Sequence, residues 1–125
     1  MGGEGVSQQI IIPGSLPSMN QIVDASKKHW AQYSTMKKEH TEAVAWLAKS
    51  LTPMEAAIVR CTWICKDKRT DPDNIISGCK FILDGLVEGG VLKNDGWKEI
   101  RGLQHYFRVD RGNPRVVVEL CPPGN

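Results

Sequence analysis

The strongest constraint on the fold comes from the segment between Glu55 and Cys65, whose side chains are mostly apolar. Alternate positions divide them between two faces. One face carries Ala57, Val59, Cys61 and Trp63, and the other carries Ile58, Thr62 and Ile64. This pattern predicts a strand that is apolar on both sides. The other predicted elements are placed relative to it.

Patterns on either side of this strand predict the elements that surround it. The β-branched run Gln8–Ile12 is closed by Pro-Gly and reads as a first strand. From about Gln21 to Leu51 the apolar spacing is helical. A second helix is expected from Asp71 to about Glu88, where two glycines end it.

The last third of the chain predicts two more strands, Ile100–Val109 and Arg115–Leu120. The turn at 110–114 is expected to join them as an antiparallel pair. The resulting order is β-α-β-α-β-β. It predicts an α+β fold, namely a two-layer domain in which two main helices pack on one face of a mixed β-sheet.

The length and charge of the chain limit its functional class. Its 125 residues predict a single domain, with residues 1–7 and 122–125 as loose tails. No apolar run approaches the roughly 20 residues of a membrane helix, and the N-terminus does not resemble a signal peptide, so a cytoplasmic location without membrane contact is expected. The net charge is only +2, so binding to nucleic acid would depend on local basic patches.

The four cysteines are predicted to be reduced thiols that act as small buried hydrophobic side chains. They are Cys61, Cys65, Cys79 and Cys121. Cys61 and Cys65 share a strand face, but about 13 Å separates them, which is too far for joint metal binding.

Three aspartates carry the functional interpretation. Asp71 and Asp73 stand in the run Arg-Thr-Asp-Pro-Asp-Asn, and Asp95 stands in Lys-Asn-Asp-Gly-Trp. Carboxylates gathered from a strand end, a helix start and a nearby turn can hold Mg²⁺, and Mg²⁺ held in this way can promote phosphodiester hydrolysis. Each residue also has a structural explanation. Asp71 suits a helix N-cap, Asp73 suits a first helical turn, and Asp95 suits an Asn-Asp-Gly turn.

The helix that follows Asp71 has an apolar face and a polar stripe. Seven residues form the apolar face: Ile75, Ile76, Cys79, Ile82, Leu83, Leu86 and Val87. The stripe consists of Asp73, Ser77, Lys80 and Asp84. It is either one wall of a phosphate-binding cleft or an ordinary solvated face with a Lys80–Asp84 ion pair.

Five short motifs recur together in one pattern: Asp71-Pro72-Asp73-Asn74, Lys80-Phe81-Ile82-Leu83-Asp84-Gly85-Leu86, Gly90-Val91, Asn94-Asp95 and Asn113-Pro114-Arg115-Val116. Together they resemble the RusA family of Holliday junction resolvases, which are small endonucleases of phages and prophages. The resemblance covers roughly residues 56 to 120.

The resemblance implies a homodimeric, Mg²⁺-dependent endonuclease, with Mn²⁺ as an alternative metal, that cuts four-way junction DNA symmetrically in recombination and repair. Asp71, Asp73 and Asp95 would be its catalytic acids and metal ligands. The lysine that the family requires on the helix maps to Lys80, although counting forward from Asp73 gives Ser77 instead. The location would be the bacterial cytoplasm, or that of the host if a phage encodes the protein.

Six basic residues are candidate DNA contacts, and they flank both groups of aspartates. They are Lys66, Lys68, Arg69, Lys93, Lys98 and Arg101. Trp97 either stacks on an opened junction or belongs to the core, and we expect it in the core. Three alternatives stay open: a nuclease of broader specificity for branched or flapped DNA, a junction-binding protein without catalysis, and a structural domain that does not act on DNA.

Overall fold

The computed structural model describes residues 6–124, which form an α+β domain with a four-stranded mixed sheet and helices on one of its faces. This confirms the predicted fold class. The elements, in chain order, are β1 (Gln8–Pro13), α1 (Met19–Lys28), α2 (Trp30–Ala48), β2 (Ala57–Cys65), α3 (Pro72–Ile75), a 3₁₀ turn (Ile76–Gly78), α4 (Cys79–Glu88), β3 (Ile100–Val109) and β4 (Arg115–Cys121). Of the tails predicted at 1–7 and 122–125, residues 1–5 and 125 lie outside the described residues, and residues 6–7 and 122–124 belong to no helix or strand. Among residues 6–124, no helix has both the length and the apolar character that a membrane crossing requires.

The sheet has the strand order β1-β4-β2-β3. The β1–β4 and β4–β2 pairs are antiparallel, whereas β2 and β3 are parallel. The predicted β3–β4 hairpin is therefore wrong, because β2 lies between the two strands. The connection at 110–114 crosses the end of β2, where the Asp110 N–H donates to the Cys65 carbonyl oxygen at 2.8 Å. Two strand spacings amount to about 10 Å, which five residues span easily.

The hydrophobic core lies between the sheet and helices α2 and α4. On β2 the predicted inner row is confirmed, since Ala57, Val59, Cys61 and Trp63 are buried. Gly85 lies close against α2, because a Cβ atom added there would lie 2.4 Å from the Val44 Cβ atom. This glycine therefore allows α4 to lie directly against α2.

The helix predicted from Gln21 to Leu51 is two helices, because the chain is extended at His29 (φ −163°, ψ 126°). His29 ends α1 and begins α2, and its Nδ1 atom accepts a hydrogen bond from the Ala31 N–H at 3.2 Å. At the start of α1, Ser18 and Gln21 form a capping box. Each helix therefore has its own local start signal.

The helix predicted from Asp71 to Glu88 is also interrupted, by the 3₁₀ turn Ile76–Gly78. Gly78 is buried in this turn, and a Cβ atom added there would lie 2.9 Å from the Leu16 Cβ atom and 3.2 Å from the Trp63 ring. Glycine favours the helix least after proline, and here it lets the chain pass close to Trp63. In α4 the apolar face is broader than predicted, because Phe81 is also buried, with its ring 5.6 Å from that of His40.

All four cysteines are free, as predicted. Cys61 and Cys79 are buried, whereas Cys65 and Cys121 are half-buried. A hydrogen bond with Cys79 and burial together raise the pKa of the Cys61 thiol far above its ordinary value. Cys61 is therefore a neutral thiol of the core.

Candidate functional site

Asp71 and Asp73 lie just beyond the end of β2, at the start of α3. The Asp71 carbonyl oxygen accepts hydrogen bonds from the N–H groups of Asn74 and Ile75 at 3.0 and 3.1 Å. Its side chain, however, makes no capping hydrogen bond. Asp73 is exposed in the first turn of the same helix. The helix start uses the backbone of Asp71 and leaves its carboxylate accessible.

A cleft of about 690 Å³ lies beside Asp71, between the basic loop after β2 and the end of β3. Its lining includes Lys68 and Arg108 together with the apolar side chains of Ile75 and Phe107. Cationic groups next to a free carboxylate suit a phosphate that is held directly by the cations and through a metal ion by the acid.

Asp95 lies in the loop between α4 and β3. The Asp95 N–H donates to the Asn94 Oδ1 atom at 2.9 Å, and the Asp95 side chain is exposed. It lines a second cleft, of about 600 Å³, together with Asp84 of α4 and with Lys37 and Thr41 of α2. Neither Asp71 nor Asp73 lines this cleft.

The two groups of aspartates lie at opposite ends of the parallel β2–β3 pair. Asp71 follows the C-terminal end of β2, whereas Asp95 precedes the N-terminal end of β3, which is paired with Ala57 at the start of β2. Eight residue steps of about 3.3 Å place these ends some 26 Å apart. Within residues 6–124, no three His, Cys, Asp or Glu side chains are grouped to hold a metal ion. One subunit therefore does not bring the three predicted ligands together.

Lys80 and Ser77 differ in their surroundings. Lys80 is exposed, and its Nζ atom lies 3.7 Å from the Asp84 carboxylate, which is the predicted surface pair. The Ser77 Oγ atom is buried and has no hydrogen-bond partner among the described residues. Lys80 is seven residues beyond Asp73, or about 10 Å along a helix, so it is not adjacent to that carboxylate.

Ion pairing distinguishes the three predicted site aspartates from the other aspartates of the chain. The remaining four aspartates each form an ion pair with a neighbouring Lys or Arg: Asp24 with Lys28, Asp67 with Arg69, Asp84 with Lys80 and Asp110 with Arg115. Over residues 6–124, no side-chain hydrogen bond or ion pair engages the carboxylate of Asp71, Asp73 or Asp95. Among the aspartates of residues 6–124, the three that the sequence singles out are therefore those without a cationic partner.

Each group of unpaired carboxylates has its own basic residues. All six predicted DNA contacts are exposed: Lys66, Lys68 and Arg69 beside Asp71, and Lys93, Lys98 and Arg101 around Asp95. Arg69 contacts Asp67 at 3.8 Å, and the Arg101 Nε–H donates to the Lys98 carbonyl oxygen at 2.8 Å. Both ends of the β2–β3 pair therefore combine accessible acids with accessible cations.

Trp97 and His105 were not predicted correctly from the sequence. The predicted core position of Trp97 is wrong, because its side chain is 98% exposed in a loop of mainly exposed polar neighbours. A hydrogen bond from the Trp63 Nε1–H to the His105 Nδ1 atom, 3.0 Å long, was not predicted. Burial lowers the pKa of His105, which keeps this ring neutral and able to accept the bond. No local sequence signal indicates it, since it depends on β2 pairing with β3.

Neither protein-family models nor curated proteins show a match to this sequence. The resemblance to the RusA family is therefore still an expectation, and a function for the chain has to be argued from its own residues.

Proposed function

We propose that this protein is a Mg²⁺-dependent endodeoxyribonuclease that resolves four-way DNA junctions by symmetric cleavage and acts as a homodimer. The observation that carries the proposal is the set of three accessible carboxylates without ion-pair partners, each next to exposed lysines and arginines. Free acids can bind a cation, and the neighbouring basic groups can hold the DNA phosphates on either side of it.

The distance between the two groups of aspartates is the reason for a two-subunit site. In a two-fold symmetric dimer, the same surface patch is used by both chains in opposite directions. Asp71 and Asp73 of one subunit can then lie beside Asp95 of the partner subunit, and the reciprocal set forms a second, identical site. Two sites related by a two-fold axis also match the near two-fold symmetry of a four-way junction and its two symmetric cuts.

In such a site, Asp71, Asp73 and the partner's Asp95 would hold the metal ion. A bound Mg²⁺ supplies a nucleophilic water at neutral pH and neutralises charge on the phosphoryl oxygens. The protein's own contribution is positional. The loop with Lys66, Lys68 and Arg69 holds the phosphate backbone next to the two acids, and Lys80 stabilises negative charge once it turns from Asp84 toward the phosphate.

Mixing two inactive variants tests this arrangement. Asp71→Asn and Asp95→Asn should each abolish nicking of a four-way junction and preserve its binding, because no phosphate contact is lost. When the two variants are mixed and allowed to exchange subunits, each heterodimer should contain one site with all three aspartates. Equal mixing makes half of the dimers heterodimers, so about a quarter of the wild-type sites should return.

The matched control is a mixture of Asp71→Asn with Asp73→Asn. These residues lie on the same side of the shared site, so every heterodimer site lacks one acid and no activity should return. A mixture of Asp71→Asn and Asp95→Asn that stays inactive despite proven subunit exchange would rule out the shared site. Full activity of either single variant, or cleavage in the presence of a strong chelator, would rule out the metal nuclease.

The substrate is tested separately on four-way junctions, flaps and linear duplexes of matched sequence. Paired cuts in the four-way junction alone support resolution. Comparable cleavage of flaps supports the broader branched-DNA nuclease, and binding without cleavage by the wild type supports a non-catalytic junction-binding protein.

A further inference from the structure

Strand β3 forms one edge of the sheet and is its longest strand, with ten residues paired only to β2 among the described strands. The outer side of β3 therefore presents unpaired backbone N–H and C=O groups. Natural proteins avoid such edges because they pair readily with another strand. The strand contains no proline and no lysine, although it carries Arg101 and Arg108 and its register with β2 shifts between residues 100 and 102. From Gly102 to Val109 the register with β2 is regular, so this stretch of the edge offers a straight run for pairing.

The side chains of β3 on the helix side of the sheet are apolar but poorly covered. Leu103, Phe107 and Val109 lie in register with Val59, Trp63 and Cys65, so they share the face on which the helices pack. They are nevertheless 46%, 40% and 48% exposed. The helices thus stop short of this edge, and an apolar row continues beyond them.

The opposite edge of the sheet is better protected. Strand β1 has only six residues and ends at Pro13, which has no N–H to donate. Its first residue, Gln8, is fixed through its side chain, which donates to the Thr52 carbonyl oxygen at 2.9 Å and accepts from the Thr52 N–H at 2.7 Å. Of the two edges, β3 is the one suited to a partner.

We propose that β3 pairs with β3 of a second copy of this chain, antiparallel and around a two-fold axis, to give a continuous eight-stranded sheet. The inference deepens the proposed function, on which the need for a second copy rests, by naming the surface that joins the two subunits. A two-fold axis perpendicular to the sheet keeps each face continuous, so helix-side residues oppose helix-side residues.

A two-fold axis at His105 gives a compatible match of side chains. It places Leu103 opposite Phe107 of the partner subunit on the helix side, which pairs two apolar side chains. On the other face it places Arg108 opposite Gly102 of the partner subunit, where no side chain obstructs the arginine stem. Arg101 faces Val109 of the partner subunit, so the two arginines of the strand do not oppose each other.

The same pairing brings the separated carboxylates toward each other. Asp71 lines the cleft at the C-terminal end of β3, next to Phe107 and Val109. Antiparallel pairing sets this end beside the N-terminal end of the partner's β3, about 4.8 Å away across the strands. Asp95 precedes that end by five residues. The strand pairing and the shared site are therefore geometrically consistent.

Two lysine substitutions on opposite edges of the sheet test the proposal. Leu103→Lys places a charge in the centre of the proposed interface twice, once per subunit, whereas Ile11→Lys alters an equally exposed side chain (47%) on β1. The dissociation constant of the dimer, measured by analytical ultracentrifugation, should rise at least about 100-fold for Leu103→Lys. It should stay at the wild-type value for Ile11→Lys.

A wild type that is monomeric at its highest soluble concentration would overturn the proposal, as would a Leu103→Lys variant that dimerises normally or an Ile11→Lys variant that dissociates. Circular dichroism checks that each variant is folded. If Leu103→Lys fails to fold, His105→Cys replaces it. Oxidation by diamide should then join two chains through residue 105, and the absence of this covalent dimer would also overturn the proposal.

These readouts separate the interface from the proposed function. A dimer that depends on β3 but does not cut a junction would support the proposed interface and refute the proposed nuclease. Junction cleavage by a dimer that Leu103→Lys does not weaken would support the nuclease and refute the interface.

Discussion

The close packing at Gly85 decides whether Gly85→Ala stabilises or destabilises the domain. In isolation, Gly85→Ala should stabilise α4, because alanine favours a helix by about 1 kcal/mol over glycine. In this fold the new Cβ atom would lie 2.4 Å from the Val44 Cβ atom, 2.5 Å from its Cγ1 atom and 3.1 Å from the Ala45 backbone N atom. Carbon atoms in contact are ordinarily about 3.5–4.0 Å apart, so α2 and α4 would have to separate by roughly 1 Å or more.

The Val44 Cβ atom is fixed to the backbone and cannot rotate away, so the cost should lie at the upper end of the roughly 1–3 kcal/mol known for overpacked cores. After subtraction of the helix gain, Gly85→Ala should destabilise the domain by about 2 kcal/mol. Urea unfolding should show a lower midpoint with an unchanged slope.

Gly96→Ala is the control, because its nearest neighbour would be the flexible end of Glu99 at 3.5 Å. Its stability should stay within about 0.5 kcal/mol of the wild type. A Gly85→Ala variant at least as stable as the wild type would show that helix propensity outweighs the contact, and would refute the close packing of α2 and α4.

Two further predictions concern His105 and the helix lysine. Burial lowers the pKa of His105 from its usual 6.5, so the unfolded chain takes up the proton at a higher pH than the folded chain. The stability that the neutral ring contributes is therefore complete above about pH 6.5 and declines as the pH falls toward the folded pKa. In urea unfolding, the stability difference between wild type and His105→Phe should shrink from pH ~7.5 to ~5, and a constant difference would contradict this account. For the lysine, Lys80→Ala should lower junction cleavage by about 100-fold at unchanged binding, whereas Ser77→Ala, which removes a buried hydroxyl without a partner, should leave both cleavage and stability intact. Loss of cleavage with Ser77→Ala alone would instead place the family's lysine position at residue 77.

Elements with a strong local pattern were predictable from the sequence. The inner and outer rows of β2, the run of β1 and the boundaries of β3 follow directly from alternating side chains. The break at His29 was not predictable from glycine or proline, because the chain uses an extended histidine as the cap of both helices. The β3–β4 hairpin failed for another reason. A short turn usually joins two strands that pair with each other. In this sheet β2 lies between β3 and β4 and pairs with both, so the two strands that the turn joins are not neighbours.

The candidate site also has one part that the sequence predicts and one part that depends on the fold. The identity of Asp71, Asp73 and Asp95 follows from short motifs, and the structure adds that these carboxylates have no ion-pair partners among residues 6–124. Their separation could not be predicted, because it depends on β2 and β3 running parallel. In a parallel pair, the residues after one strand and before the other are at opposite ends.

The position of β1 has a consequence for how the chain folds. The first strand pairs only with β4, so residues 8–13 find their partners about a hundred positions later, at 115–120. During synthesis β1 has nothing to pair with until β4 has left the ribosome, and β2 lacks one neighbour for the same period. Contacts between residues this far apart in the sequence raise the contact order, which predicts slow folding and late completion of the sheet. Before β4 is available, helices α2 and α4 can already pack against each other and cover the inner face of β2, which carries Ala57, Val59, Cys61 and Trp63.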